Sequence, residues 1–332
     1  MKRWLLSIPC LLCLLLLTSC ATSLVPLDAI TGADTTDVLV PSPIDTVVRD
    51  EDRFSALYFR FRQEPYLASE ARIISRTQSQ SYESALLEAL LAGPSAGSME
   101  LMSLFPTGTR LISTVSQSRT LFVTLSSEFL SGYADEPVDW QEYDLWRHEA
   151  PLRRRLCLQS IVATVTENCD VDSVQILIEQ KDSVTGSLRL PQNYLLDDSE
   201  DDVLMGPVFR DDSVLLGIDH TLSYILTLLG ERNWDRLYYF LCLRDSRTGI
   251  ERPTLEDYLV RMQALPALTA FATYPPTLSL DGTEATVQVH VTLTLQDLTR
   301  VDIGSRVLRL SRESGLWKIS LEQLEGLMEV AQ

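Results

Sequence analysis

The chain has 332 residues, of which 45% are hydrophobic and 22% are charged, and its formal net charge is −18. This length corresponds to about two domains, and the apolar content is sufficient for packed cores, which excludes a wholly disordered protein. The excess of acidic residues repels nucleic acid, anionic lipid and anionic wall polymers, so nucleic-acid binding is excluded as the function.

Residues 1–20 have the pattern of a lipoprotein signal peptide. Two basic residues precede an apolar run that ends in Leu17-Thr18-Ser19-Cys20. The run is shorter than the roughly 20 apolar residues that a membrane-spanning helix needs. Its ending resembles a bacterial lipobox, which implies that Cys20 carries the lipid on the outer face of the cytoplasmic membrane. A signal-anchor helix is the alternative interpretation, and in a host with two membranes Ala21 would permit sorting to the outer one.

Residues 21–53 are predicted to form a flexible tether. They contain three prolines and only scattered aliphatic residues, with no sustained period of 2 or 3.6. A flexible coil of this length spans on the order of 30 Å. The tether would therefore hold a folded body away from the bilayer.

Three cysteines follow the tether, and an odd number argues against a disulfide framework in an exported protein. Cys157 and Cys169 are separated by a predicted helix, which places them too far apart to bridge. We therefore predict that Cys157 is a small buried hydrophobic residue. A bridge between Cys169 and Cys242 stays open.

The first folded region is predicted to cover residues 54–205. Apolar residues alternate with polar ones from Phe54 to Arg62, which indicates a half-buried strand, and a second short strand is expected near 72–76. Ser81 is a candidate N-cap for a leucine-rich helix that ends at Gly93-Pro94. A hairpin at 109–125 with its turn at Gln117-Ser118, a helix from Leu152 to Thr166 and a strand over 174–178 complete this region.

Five segments in this region, taken in order, resemble the GerMN domain of sporulation and spore-germination lipoproteins. They are LLEALLAGP (86–94), FPTGT (105–109), LFVTLSSEF (121–129), QSIVATVT (159–166) and VDSVQILI (171–178). The resemblance implies a small α/β domain that works outside the cytoplasmic membrane in binding or assembly, with no catalytic residue to transfer.

Residues 133–151 depart from that resemblance because they are longer, more acidic and more aromatic than the usual connection. Asp139 and the neighbouring aromatic residues form a candidate partner-binding surface, since exposed aromatics with an arginine are typical of interface centres. The alternative is a loop that folds its aromatics back onto the domain. The candidate residues are Trp140, Tyr143, Trp146 and Arg147.

An acidic stretch at 195–207 predicts the boundary to a second region at 211–328. Three helices are expected first, ending at Gly230, spanning Trp234 to Leu243, and beginning at the N-cap Thr254. The period then changes to two, which predicts a long antiparallel strand over 287–295 and two further strands. The order resembles the NTF2-like cone, so the predicted fold class is α+β (mixed α/β): a GerMN-like α/β sandwich followed by an NTF2-like α+β cone with a curved antiparallel sheet.

Motifs for catalysis, metal or cofactor binding are missing from the sequence, which predicts no catalytic residue, no metal and no cofactor. We expect His290 to face solvent, and we interpret the acidic run at 197–202 as a solvated linker rather than a calcium site. The sequence favours a lipid-anchored binding or assembly protein in sporulation or germination, with an unidentified envelope protein as partner. A ligand-binding or catalytic NTF2-like domain and envelope-polymer binding are the alternatives.

Overall fold

The computed structural model describes residues 52–77, 79–180, 186–196, 203–295 and 297–329. These ranges belong to one compact unit, residues 49–332. The predicted signal peptide, the predicted lipidation position Cys20, the predicted tether up to residue 51 and the acidic run at 197–202 lie outside the described residues. Within the described ranges, no helix combines the length and the apolar character that crossing a bilayer requires.

Strands and helices alternate along the N-terminal half (residues 53–209), whereas helices precede strands in the C-terminal half (residues 211–329). The strands are β1 Arg53–Phe61, β2 Leu67–Ile74, β3 Leu101–Met102, β4 Leu111–Gln117, β5 Thr120–Leu125, β6 Ser173–Glu179, β7 Ser187–Arg189, β8 Val208–Phe209, β9 Ala267–Thr273, β10 Thr277–Leu278, β11 Glu284–Thr294, β12 Arg300–Glu313 and β13 Leu316–Ile319. The helices are α1 Tyr82–Leu91, α2 Asp144–Asn168, α3 Ile218–Gly230, α4 Trp234–Leu237, α5 Leu255–Gln263 and α6 Leu321–Met328.

Among the described residues the strands form three sheets. The first has the order β2-β1-β3, and the second has the order β4-β5-β6-β7 with β8 also paired to β6. The third, in the C-terminal half, has the order β10-β11-β12-β13 with β9 also paired to β11. The predicted α+β class is confirmed, with a curled antiparallel sheet in the C-terminal half.

The predicted alternation of buried and less buried residues in β1 is confirmed. Along one edge of β1, a helix rather than a neighbouring strand supplies the hydrogen-bond partners of the backbone. Beyond its short pairing with β3, this edge is hydrogen-bonded by polar side chains of α2. Thr164 Oγ1 accepts from the Tyr58 N–H at 3.0 Å, and Ser160 Oγ donates to the Tyr58 carbonyl at 2.6 Å. A buried backbone N–H or carbonyl without a hydrogen-bond partner costs free energy. Ser160 and Thr164 are therefore polar although they lie on the buried face of α2, because their hydroxyls bond the Tyr58 backbone.

Two predictions in the N-terminal half were wrong in their boundaries. The hairpin turn lies at Ser118 and Arg119, one residue later than predicted, and both residues have positive φ, 50° and 61°. Helix α2 begins at Asp144 rather than Leu152 and includes Pro151. The first turns of α2 persist despite the missing proline N–H because Glu149 forms ion pairs with Arg60 and Arg153.

The C-terminal half contains two of the three predicted helices with the expected ends. Thr254 caps α5 by accepting from the Asp257 N–H, as predicted, and α3 ends at Gly230. The helix predicted over Trp234–Leu243 is wrong in length: α4 ends at Leu237, a 3-10 helix follows at Tyr238–Phe240, and the chain then pairs with β13, with the Cys242 N–H donating to the Ile319 carbonyl at 3.0 Å. Strand β9 and helix α6 were not predicted.

The three cysteines in the described part of the chain, Cys157, Cys169 and Cys242, form no disulfide. Cys157 is fully buried, as predicted, Cys242 is buried, and Cys169 is partly buried. The bridge between Cys169 and Cys242 that the sequence left open is not formed. Burial raises the pKa of Cys157 and of Cys242 to about 12, so both thiols remain protonated at neutral pH.

Candidate functional site

The two halves pack against each other along a continuous seam. Leu67 of β2 forms a parallel bridge with Leu215, and the Leu216 N–H donates to the Leu67 carbonyl at 2.8 Å. Aromatic rings then extend the contact, with the Phe61 and Phe240 centroids 5.0 Å apart and those of Tyr66 and Tyr224 4.9 Å apart. Backbone pairing combined with buried rings holds the halves in one orientation.

Glu64 is the main charged contact of the seam. Its side chain is only 7% exposed, and its carboxylate accepts from the Tyr224 hydroxyl and from two nitrogens of Arg236. Burial and the Glu64 carboxylate raise the pKa of Tyr224, so that hydroxyl stays protonated and donates. Lys318 and Glu100 form a second ion pair across the seam at 3.1 Å.

The β12–β13 turn makes the closest backbone approach of the seam. Gly315, with φ +85°, lies against Ser69 of β2, and a Cβ added at Gly315 would stand 1.8 Å from the Ser69 carbonyl oxygen. No side chain fits that space. The turn at Glu313-Ser314-Gly315 therefore also joins the two halves.

The inner face of the C-terminal sheet is filled by side chains. The alternate residues Val287, Val289, Val291 and Leu293 of β11 are at most 1% exposed and belong to one apolar cluster with α3 and α5. Tyr258 of α5 is also fully buried in this cluster. An apolar packed face of this kind fits a structural role better than a substrate pocket, which combines space with converging polar groups.

A groove of about 290 Å³ opens on the surface of the seam. Tyr58, Ser69 and Arg210 line it from the N-terminal half, and Arg312 lines it from the C-terminal half together with the start of α3. Within the described residues, no cluster of three or more His, Cys, Asp or Glu side chains has the geometry of a metal site.

Residues 133–147, which include the first turn of α2, form a second surface feature, the acidic ledge, and ion pairs hold its N-terminal part against later turns of α2. Arg153 binds Asp135 through two hydrogen bonds of 2.6 and 3.1 Å. Arg154 binds Glu136 at 2.8 Å, and the two side chains are only 10% and 5% exposed. Because the Arg154–Glu136 pair is buried and the Arg153 side chain is only 14% exposed, although that of Asp135 is 64% exposed, these contacts hold the ledge in a defined conformation.

The top of the acidic ledge exposes apolar side chains. Val138 is 96% exposed, Leu145 is 74% exposed and Tyr143 is 51% exposed. Asp139 and Glu142 lie between them and have no ion-pair partner among the described residues. The surface therefore combines water-exposed apolar groups with two unpaired carboxylates.

Comparisons with known proteins identify the N-terminal half. Residues 56–184 match the Germane family model, whose description is sporulation and spore germination. We call residues 56–184, which are similar to this family, the Germane segment. No curated protein matches the chain.

Solved structures are similar to parts of the chain. The tandem GerMN domains of the sporulation protein GerM from Bacillus subtilis share 18% identity over 46% of this chain and 46% of that chain, with a TM-score of 0.28. A Clostridium perfringens protein proposed to be a lipoprotein shares 21% identity over 48% of this chain and 89% of that chain, with a TM-score of 0.27. A Novosphingobium aromaticivorans protein proposed to be a scytalone dehydratase shares 14% identity over 31% of this chain and 76% of that chain, with a TM-score of 0.24.

The acidic ledge lies within the Germane segment and contains the four residues predicted to bind a partner. Tyr143 and Arg147 are exposed, and Arg147 pairs with Asp144. Trp140 and Trp146 are half-buried, and the Trp146 ring lies 5.2 Å from the Arg153 guanidinium carbon. Trp146 therefore contributes to holding the ledge, whereas Val138 and Leu145, which sequence reasoning missed, supply its exposed apolar surface.

His290 contacts solvent and a neighbouring carboxylate. Its Nε2 lies 2.9 Å from Asp302 Oδ1 on the outer face of the C-terminal sheet, and its side chain is 39% exposed. The expectation that this histidine faces solvent agrees with that placement.

Proposed function

We propose that this protein is a lipid-anchored, extracytoplasmic protein of sporulation or spore germination that binds a partner protein in an envelope assembly and has no catalytic activity of its own. The observation that carries the proposal is the acidic ledge, an ordered surface with exposed apolar side chains inside a Germane segment. Exposed apolar groups on an ordered support are typical of protein-binding surfaces, since their burial in a complex costs little conformational entropy.

The packed C-terminal half supports a scaffold rather than an enzyme. The inner face of its sheet is filled with aliphatic side chains, so the alternative of a ligand-binding or catalytic cone has less support than the binding of a partner protein. Envelope-polymer binding through Trp140 and Trp146 also has less support, because both residues are half-buried and the Arg153 guanidinium lies against the Trp146 ring.

We expect the variant Cys20→Ala to lose membrane retention, because no thiol would remain at the predicted lipidation position. The measurement is fractionation of cells that make the full chain, followed by detection in membrane and soluble fractions. The variant Cys13→Ala is the matched control, since it removes a cysteine of the same apolar run and should leave retention unchanged. A Cys20→Ala protein that stays wholly in the membrane fraction would contradict the anchor.

We expect a photo-activatable residue at position 145 to crosslink an envelope protein in sporulating cells, because Leu145 stands at the top of the acidic ledge. The same residue at position 280 is the control, since Leu280 is also fully exposed but lies in the C-terminal half. With the captured protein purified, Leu145→Ser should weaken binding about tenfold and Leu280→Ser should not. Equal crosslinks from the two positions, or equal affinities of the two variants, would remove the ledge as the partner surface.

A further inference from the structure

The seam groove brings two guanidinium groups and a tyrosine hydroxyl together. Both Arg210 and Arg312 act electrostatically on the Tyr58 hydroxyl, which places the three groups around one space. Burial and the Glu167 carboxylate raise the pKa of Tyr58 against the opposing effect of the two arginines. The neutral hydroxyl donates to Glu167 Oε2 over 3.5 Å, the long limit of a hydrogen bond, so an anion bound closer would compete for this donor.

The two arginines differ in what neutralises them. Arg210 is held by Glu167 and by Asp212, each at 2.6 Å, so its charge is balanced and its position is set. Arg312 reaches only the Ser69 hydroxyl, at 3.3 Å, and the face of Trp317, 5.9 Å from the ring centroid. Among the described residues no carboxylate pairs with Arg312, which leaves its charge available at the groove.

The surroundings of Arg312 favour a bound anion. Trp317, the residue beside it in the sheet, is 7% exposed, and a buried apolar neighbour weakens the screening of a nearby charge by water. Gly217, Ile218 and Asp219 line the same groove at the start of α3, where no side chain caps the helix. The Gly217 N–H donates to the Leu215 carbonyl at 2.9 Å, so the N–H groups of Ile218 and Asp219 are the ones that add donors to those of Arg312 and Tyr58.

We propose that the seam groove binds an oxyanion, a carboxylate or a phosphate, with Arg312 as its charged partner and Tyr58 as a hydroxyl donor. A planar guanidinium fits either group through two parallel hydrogen bonds. The volume of about 290 Å³ suits a small molecule or the end of a larger one. A ligand held there contacts both halves, so binding also stabilises the seam. This site is separate from the acidic ledge and does not depend on the proposed function.

Calorimetric titration of the full chain in detergent tests the site. Sodium phosphate and sodium acetate are used separately at constant ionic strength, so that the two sources of an oxyanion are distinguished. We expect saturable binding of one of them by the unmodified chain, and a loss of about tenfold or more in Arg312→Gln, because a charge-assisted pair is removed. The control Arg300→Gln, an exposed arginine of the same half outside the groove, should bind as the unmodified chain does.

Two further variants separate binding from folding. Arg312→Lys keeps the charge but loses the paired donors, so its affinity should fall between those of the unmodified chain and Arg312→Gln. Tyr58→Phe should weaken binding by less than Arg312→Gln while keeping the ring. Equal binding by Arg312→Gln and Arg300→Gln, or no binding of either anion by the unmodified chain, would overturn the site. Melting temperatures of all variants, measured without anion, show that each is folded.

Discussion

Gly315→Ala is expected to destabilise the folded chain by at least about 3 kcal/mol, the largest effect of a single methyl group in this protein. The added Cβ would stand 1.8 Å from the Ser69 carbonyl oxygen, a distance that forces the β12–β13 turn away from β2. The Ser69 oxygen belongs to the backbone, so no flexible side chain can move aside for the added Cβ. The measurement is the free energy of unfolding from denaturant titration.

Gly304→Ala is the matched control for that variant. Gly304 also has a positive φ, +73° against +85°, but a Cβ added there has no neighbour within 4 Å. Its substitution should therefore cost only the left-handed backbone conformation, about 1–2 kcal/mol. The excess loss in Gly315→Ala measures the close approach at the seam. Equal losses of unfolding free energy in the two variants would contradict the prediction, because they would mean that the β12–β13 turn moves away from Ser69 without destabilising the protein.

Glu64→Gln is expected to lower the free energy of unfolding by about 2–3 kcal/mol. The Glu64 carboxylate accepts from Tyr224 and Arg236, and an amide in its place would present an NH2 group to one of these donors. Breaking a buried ion pair costs more, about 3–5 kcal/mol, but the Arg236 side chain is 43% exposed and can regain water. Denaturant titration at neutral pH gives the value.

Glu325→Gln provides the comparison at the surface. Glu325 also binds an arginine, Arg261, through two hydrogen bonds, but its side chain is 22% exposed and its pair lies away from the seam. The expected loss is below about 1 kcal/mol, since solvent screens such a pair. A loss at Glu64 no larger than that at Glu325 would show that the seam does not depend on its central carboxylate.

Local patterns in the sequence predicted most elements of the fold. The alternation through Leu57 and Phe59, the cap at Ser81 and the cap at Thr254 each depend on residues a few positions apart, and each is confirmed. The errors occurred where distant contacts override local signals. Helix α2 continues before Pro151 because Arg60, far away in the sequence, pairs with Glu149, and the helix after Trp234 ends early, before the chain that pairs with β13.

For the candidate partner-binding surface, too, the sequence indicated the location, whereas contacts between distant residues decided the details. The composition of residues 133–151 predicted a partner-binding surface, and the acidic ledge lies within this range. Which of its side chains are exposed depends on the ion pairs that Arg153 and Arg154 of α2 form. Trp146 has the stronger sequence signal for an interface than Leu145. The structure reverses their roles, because a guanidinium lies against the tryptophan and nothing covers the leucine.

The sequence by itself determined the class of the fold and most of its elements, because these are encoded in periods and caps that act over one or two turns, and five ordered segments carried the resemblance to GerMN domains. Only the tertiary structure decided that the halves share a seam and that Arg312 faces a groove there. The pairs that build the seam, such as Glu64 with Arg236 and Ser69 with Gly315, are separated by 172 and 246 residues. No local pattern records a contact across such a distance, since it arises only when two finished surfaces meet.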